Sequence, residues 1–392
     1  MRPADDAGTG GLAMCTRGAS PPAGSGAVQG ADLTGLGAAQ AVAGASVCAL
    51  ADRPKPEHTY AALDLGTNNC RLVIAWEAPE GSGQDGFRVI DSFSRIVRLG
   101  EGLSRTGELG AAAIERTLCA LEICRDKMRA RGVTRRRLIA TEACRSAANG
   151  AEFLAKVRAL TGLELEIVDR ETEARLAAAG SASLVDSAAE GAVLFDIGGG
   201  SSELVWLAGA APSCAQSIEM AQGERIRFWV SLKIGVVTLA EEFGGIEVSG
   251  AMFEAMIDHA ARELESFVAM ADGARRGRHF HLLGNSGTAT TIAGVFLGLA
   301  RYNRRRVDGL WMSSGQVDHV VACLRKMTYE ERAANGCIGH GRADLVLAGC
   351  AILEAIRRAF PADRVRIADR GLREGMLIQL ISADRDAARA ES

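Results

Sequence analysis

One pattern occurs twice in the chain. Residues 60–75 read YAALDLGTNNCRLVIA and residues 192–207 read AVLFDIGGGSSELVWL. Aligned on Asp64 and Asp196, each copy is an apolar run, Asp, an aliphatic residue, Gly, a cluster of small polar residues and a second apolar run. The runs have strand length and β-rich composition, and the centres have turn chemistry, so each copy predicts a β-hairpin. One such loop could be a plain turn. Two of them, offset by 132 residues (196 − 64), predict two homologous lobes, each offering a loop to a phosphate in the cleft between them.

A chain of 392 residues is too long for one compact core, which agrees with two lobes. Net charge −3 argues against a general nucleic-acid binder. No run reaches the roughly 18 apolar residues of a membrane span. The ten cysteines are scattered, with no CxxC pair and no zinc-type spacing. They predict buried, reduced thiols in a cytoplasmic protein.

Residues 1–57, rich in Gly, Ala, Ser, Thr and Pro, predict a disordered tail or an upstream extension from an early start codon. A signal peptide at 35–51 fits less well, because the stretch lies late and holds few strong hydrophobes. Residues 58–180 then form the expected first lobe, 181–385 the second and 386–392 a tail. Strands are expected at 87–91, 138–141, 163–168, 279–283 and 365–368. Helices are expected at 110–130, 152–160, 171–179, 249–269, 315–325, 342–358 and 371–380. Mixed sheets flanked by helices in two lobes make the fold class α/β.

Phosphate binding is the first chemical expectation. Small residues at Gly66, Thr67, Gly198, Gly199, Gly200 and Ser201 let backbone N–H groups approach an anion, and the hydroxyls add donors. Asp64 and Asp196 end apolar strands, where burial without a partner is costly; carboxylates there suit a hydrated Mg²⁺ that reaches phosphate oxygens. For one site, a local turn cap would be the better explanation; for a matched pair it is not. A third loop, LLGNSGTATTIAG at 282–294, places Ser286 and Gly287 at a helix start that could face the same cleft. An ordinary N-cap by Ser286 or Thr288 explains that loop equally well.

DLGTNN, ETEARL, DIGGGSSEL, GNSGT and DRGLREG occur in that order, and together they resemble the exopolyphosphatase / guanosine pentaphosphate phosphohydrolase (Ppx/GppA) family. The resemblance spans residues 60 to 380 and implies two ribonuclease H-like lobes of the actin-like ATPase superfamily. It also implies Mg²⁺-dependent release of the terminal phosphate of polyphosphate, or conversion of pppGpp to ppGpp. Carried over by motif, Glu173 becomes a candidate base, and Glu203 a second carboxylate that positions water or metal. Asp64 and Asp196 match the phosphate-loop aspartates; Gly66, Asn69, Gly198, Gly199 and Ser201 match loop positions. Where the family often has Ser-Asn-Ser after DLG, this chain has Thr67-Asn68-Asn69, and Thr keeps the hydroxyl.

Arg98 and Arg145 fall where family members often carry basic residues, so they are expected phosphate contacts, with Arg95 beside them. For Arg301 with Arg304–Arg306, and for residues 135–137, a solvated loop is the preferred expectation. Long family members add a C-terminal domain of HD-phosphohydrolase type. The chain ends 12 residues past Leu380 (392 − 380), so a short form with lower processivity is expected, with a homodimer left open. A kinase or ATPase of the same superfamily is the rival enzyme class, disfavoured by ETEARL. A non-catalytic polyphosphate or nucleotide sensor is the rival binding class, disfavoured because binding alone needs neither Glu173 nor Glu203.

Overall fold

The computed structural model describes residues 58–78, 86–209, 225–276 and 279–391; the expectations for residues 1–57 lie outside them. The strands are β1 Thr59–Leu65, β2 Asn69–Glu77, β3 Phe87–Ile96, β4 Arg135–Ala140, β5 Glu166–Ile167, β6 Gly191–Ile197, β7 Ser202–Ala208, β8 Ile226–Leu232, β9 Phe280–Asn285, β10 Trp311–Ser313 and β11 Arg364–Ile367. They form a five-stranded sheet, β3-β2-β1-β4-β5, and a six-stranded sheet, β10-β11-β9-β6-β7-β8. Each repeated motif is an antiparallel hairpin, β1–β2 and β6–β7, and each hairpin's first strand pairs in parallel with a later one, β4 or β9. The duplication is therefore one of whole sheet cores.

The two-residue period of a strand sorts each hairpin onto two faces. In β1 and β2, Ala61, Leu63, Leu65, Leu72 and Ile74 face a core closed by the helices Ala111–Ala130 and Gly150–Thr161. Tyr60, Ala62, Val73 and Ala75 face the other way, onto Leu176, Leu372, Met376 and Leu377. In the second sheet, Val193, Phe195, Ile197, Leu204 and Trp206 enter the large outer core, while Leu194, Val205 and Leu207 face Ala174, Ala177 and Ala178. By the same parity Asp64 follows Ala62, Asp196 follows Leu194, and Glu203 precedes Val205. All three carboxylates stand on the faces that the lobes turn toward each other.

The element between those faces is the helix Arg170–Ser181, RETEARLAAAGS. Its packed side is rich in Ala and Gly, five of the 12 residues, so it is thin enough for Leu176 to join one core while Ala174, Ala177 and Ala178 join the other. The helix Leu372–Glu391 lies against it. A Cβ at Gly180 would collide with the carbonyl oxygen of Gly371, and one at Gly375 with that of Leu176. The two helices thus meet backbone to backbone.

Several elements differ from expectation. β3 runs on to Ile96, past the expected end at 91, because it pairs with β2 as far as Asn69. The expected strand at 163–168 keeps two paired residues. Arg135–Arg137 start β4 instead of a loop, since β1 pairs there from Tyr60 onward. The helix expected from 342 begins at Val346. The last helix continues through Glu391, across the expected tail, and packs on the first lobe's sheet. The helices Val236–Phe243 and Ser286–Phe296 complete the second lobe. No helix of the described residues is long and apolar enough to cross a membrane, and the cysteines among them are free.

The helix crossing gives a direct test. Gly180→Ala overpacks a backbone contact and should cost about 1–3 kcal/mol. Gly273→Ala, on a helix position whose Cβ would meet nothing within 4 Å, should instead gain about 0.5–1 kcal/mol. Thermal melts of the two variants beside the parent protein should move in opposite directions.

Candidate active site

The inward faces enclose a cleft of about 650 Å³, lined by both hairpin loops, the third loop and the segment 369–374. Each hairpin loop closes on itself in the same way. The Gly66 N–H donates to the Asn69 carbonyl, and the Gly198 N–H to the Ser201 carbonyl, at 2.9 Å in both. The two glycine amides expected to meet phosphate are therefore engaged inside their own turns. The second loop is further held by the helix Val236–Phe243, whose Val236 and Val237 N–H groups donate to the carbonyls of Gly198 and Gly199. The loops also touch: Thr67 seats on Gly199 and Gly200, where an added Cβ would crowd it.

Seven carboxylates line this cleft, four of them the expected Asp64, Glu173, Asp196 and Glu203. Glu173 stands in the first turn of the thin helix, and Asp196 and Glu203 are cross-strand partners. Burial is the main cause that raises all four acids. It pushes Asp196 up to about 6 and Glu203 up to about 7, the latter with help from Asp196. Glu173 is driven well above the ordinary range by burial and then by Glu203, with Asp64 adding to both effects; Asp64 is itself raised by burial. Ser231 donates to Glu203 at 2.8 Å, and the Asn285 amide to Asp196 at 3.1 Å. Acids that repel one another in a dry cleft lack positive charge, and hard oxygen donors suit a divalent ion such as Mg²⁺. No three His, Cys, Asp or Glu side chains among the described residues converge as a ready-made cage. Asp64, Asp196 and Glu203 therefore fit a hydrated ion held by one or two carboxylates, and not direct ligation by all three.

Of the five arginines that line the cleft, Arg71 and Arg342 lie side by side, and neither was among the expected contacts. Arg71, opposite Asp64 in the hairpin, and Arg342 both point at Gly287, with no carboxylate in salt-bridge contact. Burial and Arg71 together press the Arg342 pKa down. Two adjacent guanidiniums beside a helix N-terminus, with no carboxylate bridged to either among the described residues, offer charge and donors to an anion. Ser286 begins that helix, Ser286–Phe296, at φ 77°, a strained value for a side-chain-bearing residue. Its Oγ is buried without a hydrogen-bond partner, as is Oδ1 of Asn68 in the first loop. Both are polar atoms waiting for something in the cleft.

The expected basic residues go elsewhere. Arg145 does not line the cleft. It donates to Glu142 (2.5 Å), to the Val168 carbonyl (2.6 Å) and to Glu173 (3.2 Å), so it holds the candidate base instead of facing phosphate. Glu142 also takes bonds from Ser146 and Arg170; burial works against its ionisation, but these donors keep its pKa low. Arg98 pairs with Asp344 at 2.7 Å and donates to the Gly341 carbonyl. Arg95 stacks over the Phe93 ring. From the expected solvated run, Arg304 turns into the cleft wall and donates to buried Glu374 at 2.9 Å, while Arg305 and Arg306 stay exposed. Arg373 lies near enough to Asp64 and Asp196 to pull both of their pKa values down. Asn68, Arg71 and Arg373 lie within the repeat and motifs but have no expected role there, and Arg342 lies outside them; what marks these residues is a missing partner or a neighbour far along the chain.

The comparisons with known proteins agree with this geometry. Residues 77–383 match the Ppx/GppA phosphatase family. Exopolyphosphatase 2 of Mycobacterium tuberculosis is 26% identical over 337 residues, covering 82% of this chain and 98% of the relative. A guanosine-5'-triphosphate,3'-diphosphate pyrophosphatase of Aeromonas hydrophila is 28% identical over 331 residues; the match covers 83% of this chain and 60% of that relative. The crystal structure of the Aquifex aeolicus Ppx/GppA family member aligns with a TM-score of 0.65 at 27% identity, over 83% of this chain and 98% of that one. An exopolyphosphatase from Cytophaga hutchinsonii shares the fold, with a TM-score of 0.73 at 21% identity and coverage of 83% and 98%. The chain is a member of the Ppx/GppA phosphatase family, with its two-lobed α/β fold.

Proposed function

We propose that the protein is an Mg²⁺-assisted phosphoanhydride hydrolase that removes the terminal phosphate of inorganic polyphosphate, of pppGpp, or of both. The observation that carries this reading is the convergence of Glu173 and Glu203, from different lobes, on a cleft that also holds both hairpin loops. Hydrolysis of a phosphoanhydride needs an in-line water, a base to orient it and a clamp on the transferred group. Glu173 and Glu203 supply bases for one water. Their raised pKa values bring them nearer to neutral pH, where a general base works best. The loop amides between the turn-closing glycines, with Thr67, Ser201 and the free Ser286 hydroxyl, would meet phosphate oxygens. Arg71 and Arg342 would hold the phosphate next along the chain.

Mg²⁺ beside Asp64, Asp196 and Glu203 would screen the developing charge. Arg145 keeps Glu173 in place through a bond anchored at Val168 and Glu142. Phosphate release measured side by side on polyphosphate, pppGpp and ATP, with and without Mg²⁺, tests the reading. Dominant ATP turnover would replace it with a kinase- or ATPase-type activity.

Glu173→Gln and Glu203→Gln should each lower kcat by roughly 10²- to 10⁴-fold while substrate binding persists. Release at parental rates from either variant would remove that residue from the mechanism.

The raised acids also predict a pH dependence of stability without metal or phosphate. A carboxyl whose folded pKa exceeds its unfolded value favours the folded state while protonated, and loses that contribution as pH rises through the folded pKa. With Asp196 near 6 and Glu203 near 7, the stripped protein should melt at a lower temperature at about pH 8 than at about pH 5.5. Asp196→Asn with Glu203→Gln should flatten that difference, as should added Mg²⁺. A pH-independent melting temperature across this window would show that the acids are not buried as described.

A further inference from the structure

Besides the crossing of the helices Arg170–Ser181 and Leu372–Glu391, the lobes meet along a seam. Arg98 of the first lobe forks onto Asp344 of the second, at 2.7 and 2.9 Å, and reaches the Gly341 carbonyl at 3.1 Å. Beside it Ile96 packs so closely on Gly341 that a Cβ there would collide with it. Farther along, Glu241 accepts the Gly102 N–H at 2.7 Å and the Ser104 hydroxyl. The seam is the wall of the cleft itself, because Ile96, Arg342, Leu345 and Val346 line the cavity. The contacts join the cleft's far side across residues 243 and 246 apart in sequence.

Charge is distributed to match. Inside, Arg71 and Arg342 lie side by side at Gly287, and no carboxylate among the described residues forms a salt bridge with either. At the seam, Arg98 is matched by Asp344, and Glu241 adds a carboxylate. A short anion can be enclosed with its charge on the inner arginines. A long one that left along this seam would break the bridge and meet Asp344 and Glu241.

We propose that the Arg98–Asp344 bridge, seconded by Glu241, is a specificity determinant that fits the cleft to phosphoanhydrides of a few phosphates, free or carried on a nucleoside, and disfavours long polyphosphate chains. This rests on the hydrolase reading and sharpens its substrate class. Asp344 and Glu241 act by holding the lobes together and touch no reacting atom, so they are positioning residues.

The test compares tripolyphosphate, pppGpp and long-chain polyphosphate at equal concentrations of chain ends, on the full chain. The parent protein should release phosphate from the short substrates with kcat/KM at least about tenfold above the long chain. Asp344→Ala and, separately, Glu241→Ala should narrow that ratio by about threefold or more, mainly by raising long-chain turnover. A lesion of folding would lower all substrates together and leave the ratio unchanged. Binding of the same three anions to Glu173→Gln, followed by calorimetry, provides an arm independent of turnover. A parent that favours long chains, or a ratio that both variants leave unmoved, overturns the proposal and leaves the hydrolase reading intact. Absence of both turnover and binding for every phosphoanhydride removes the two together. Among the short substrates, a preference for pppGpp over tripolyphosphate identifies the nucleoside-borne source, and the reverse the free anion.

Discussion

Everything in the cleft depends on two sheets sharing one thin helix. The segment Arg170–Ser181 is packed by both lobes, and only a run of Ala and Gly lets their inner faces come close enough for carboxylates on each to sense one another. A larger residue at Ala174, Ala177 or Ala178 would overfill the shared layer. Glu173 rides in the first turn of the same helix, beside Ala174. Its position is therefore fixed by the contact that sets the spacing of the lobes, and geometry and chemistry cannot drift apart.

The buried acids are the unfavourable part of this design. Four carboxylates held out of water repel one another, and the arginines near them offset only part of that. Such a site is preorganised for a cation and a polyanion together, since each relieves what the other leaves. The unpartnered Ser286 and Asn68 atoms and the strained Ser286 backbone belong to the same account. They are local costs, sustained by the well-packed sheets behind the loops.

The hairpins were legible from sequence because strand periodicity and turn chemistry are local. That parity also places Asp64, Asp196 and Glu203 on one side could be read from the same strings. The fates of the arginines could not. Whether Arg98 meets phosphate or Asp344 depends on a residue 246 positions away, and Arg145 is diverted by Glu142 and Glu173. Arg71 and Arg342 matter because no carboxylate among the described residues forms a salt bridge with either, and a string of letters does not display a missing partner. The Arg135–Arg137 run reads as solvated until β1 is seen to need a parallel neighbour.

The helix Leu372–Glu391 has a consequence for how the molecule is made. It covers Tyr60, Ala62, Val73 and Ala75 of the first hairpin, and Asp384 accepts the Tyr60 hydroxyl at 3.0 Å. That hairpin leaves the ribosome 295 residues ahead of the helix (372 − 77), a lag of roughly 15–60 s at ordinary elongation rates. Throughout that interval one apolar face of the first sheet lacks the Leu372, Met376 and Leu377 part of its cover. The first lobe is thus born early and completed last, and the nascent chain must be kept from other sticky surfaces until its final helix arrives to close both the core and the cleft.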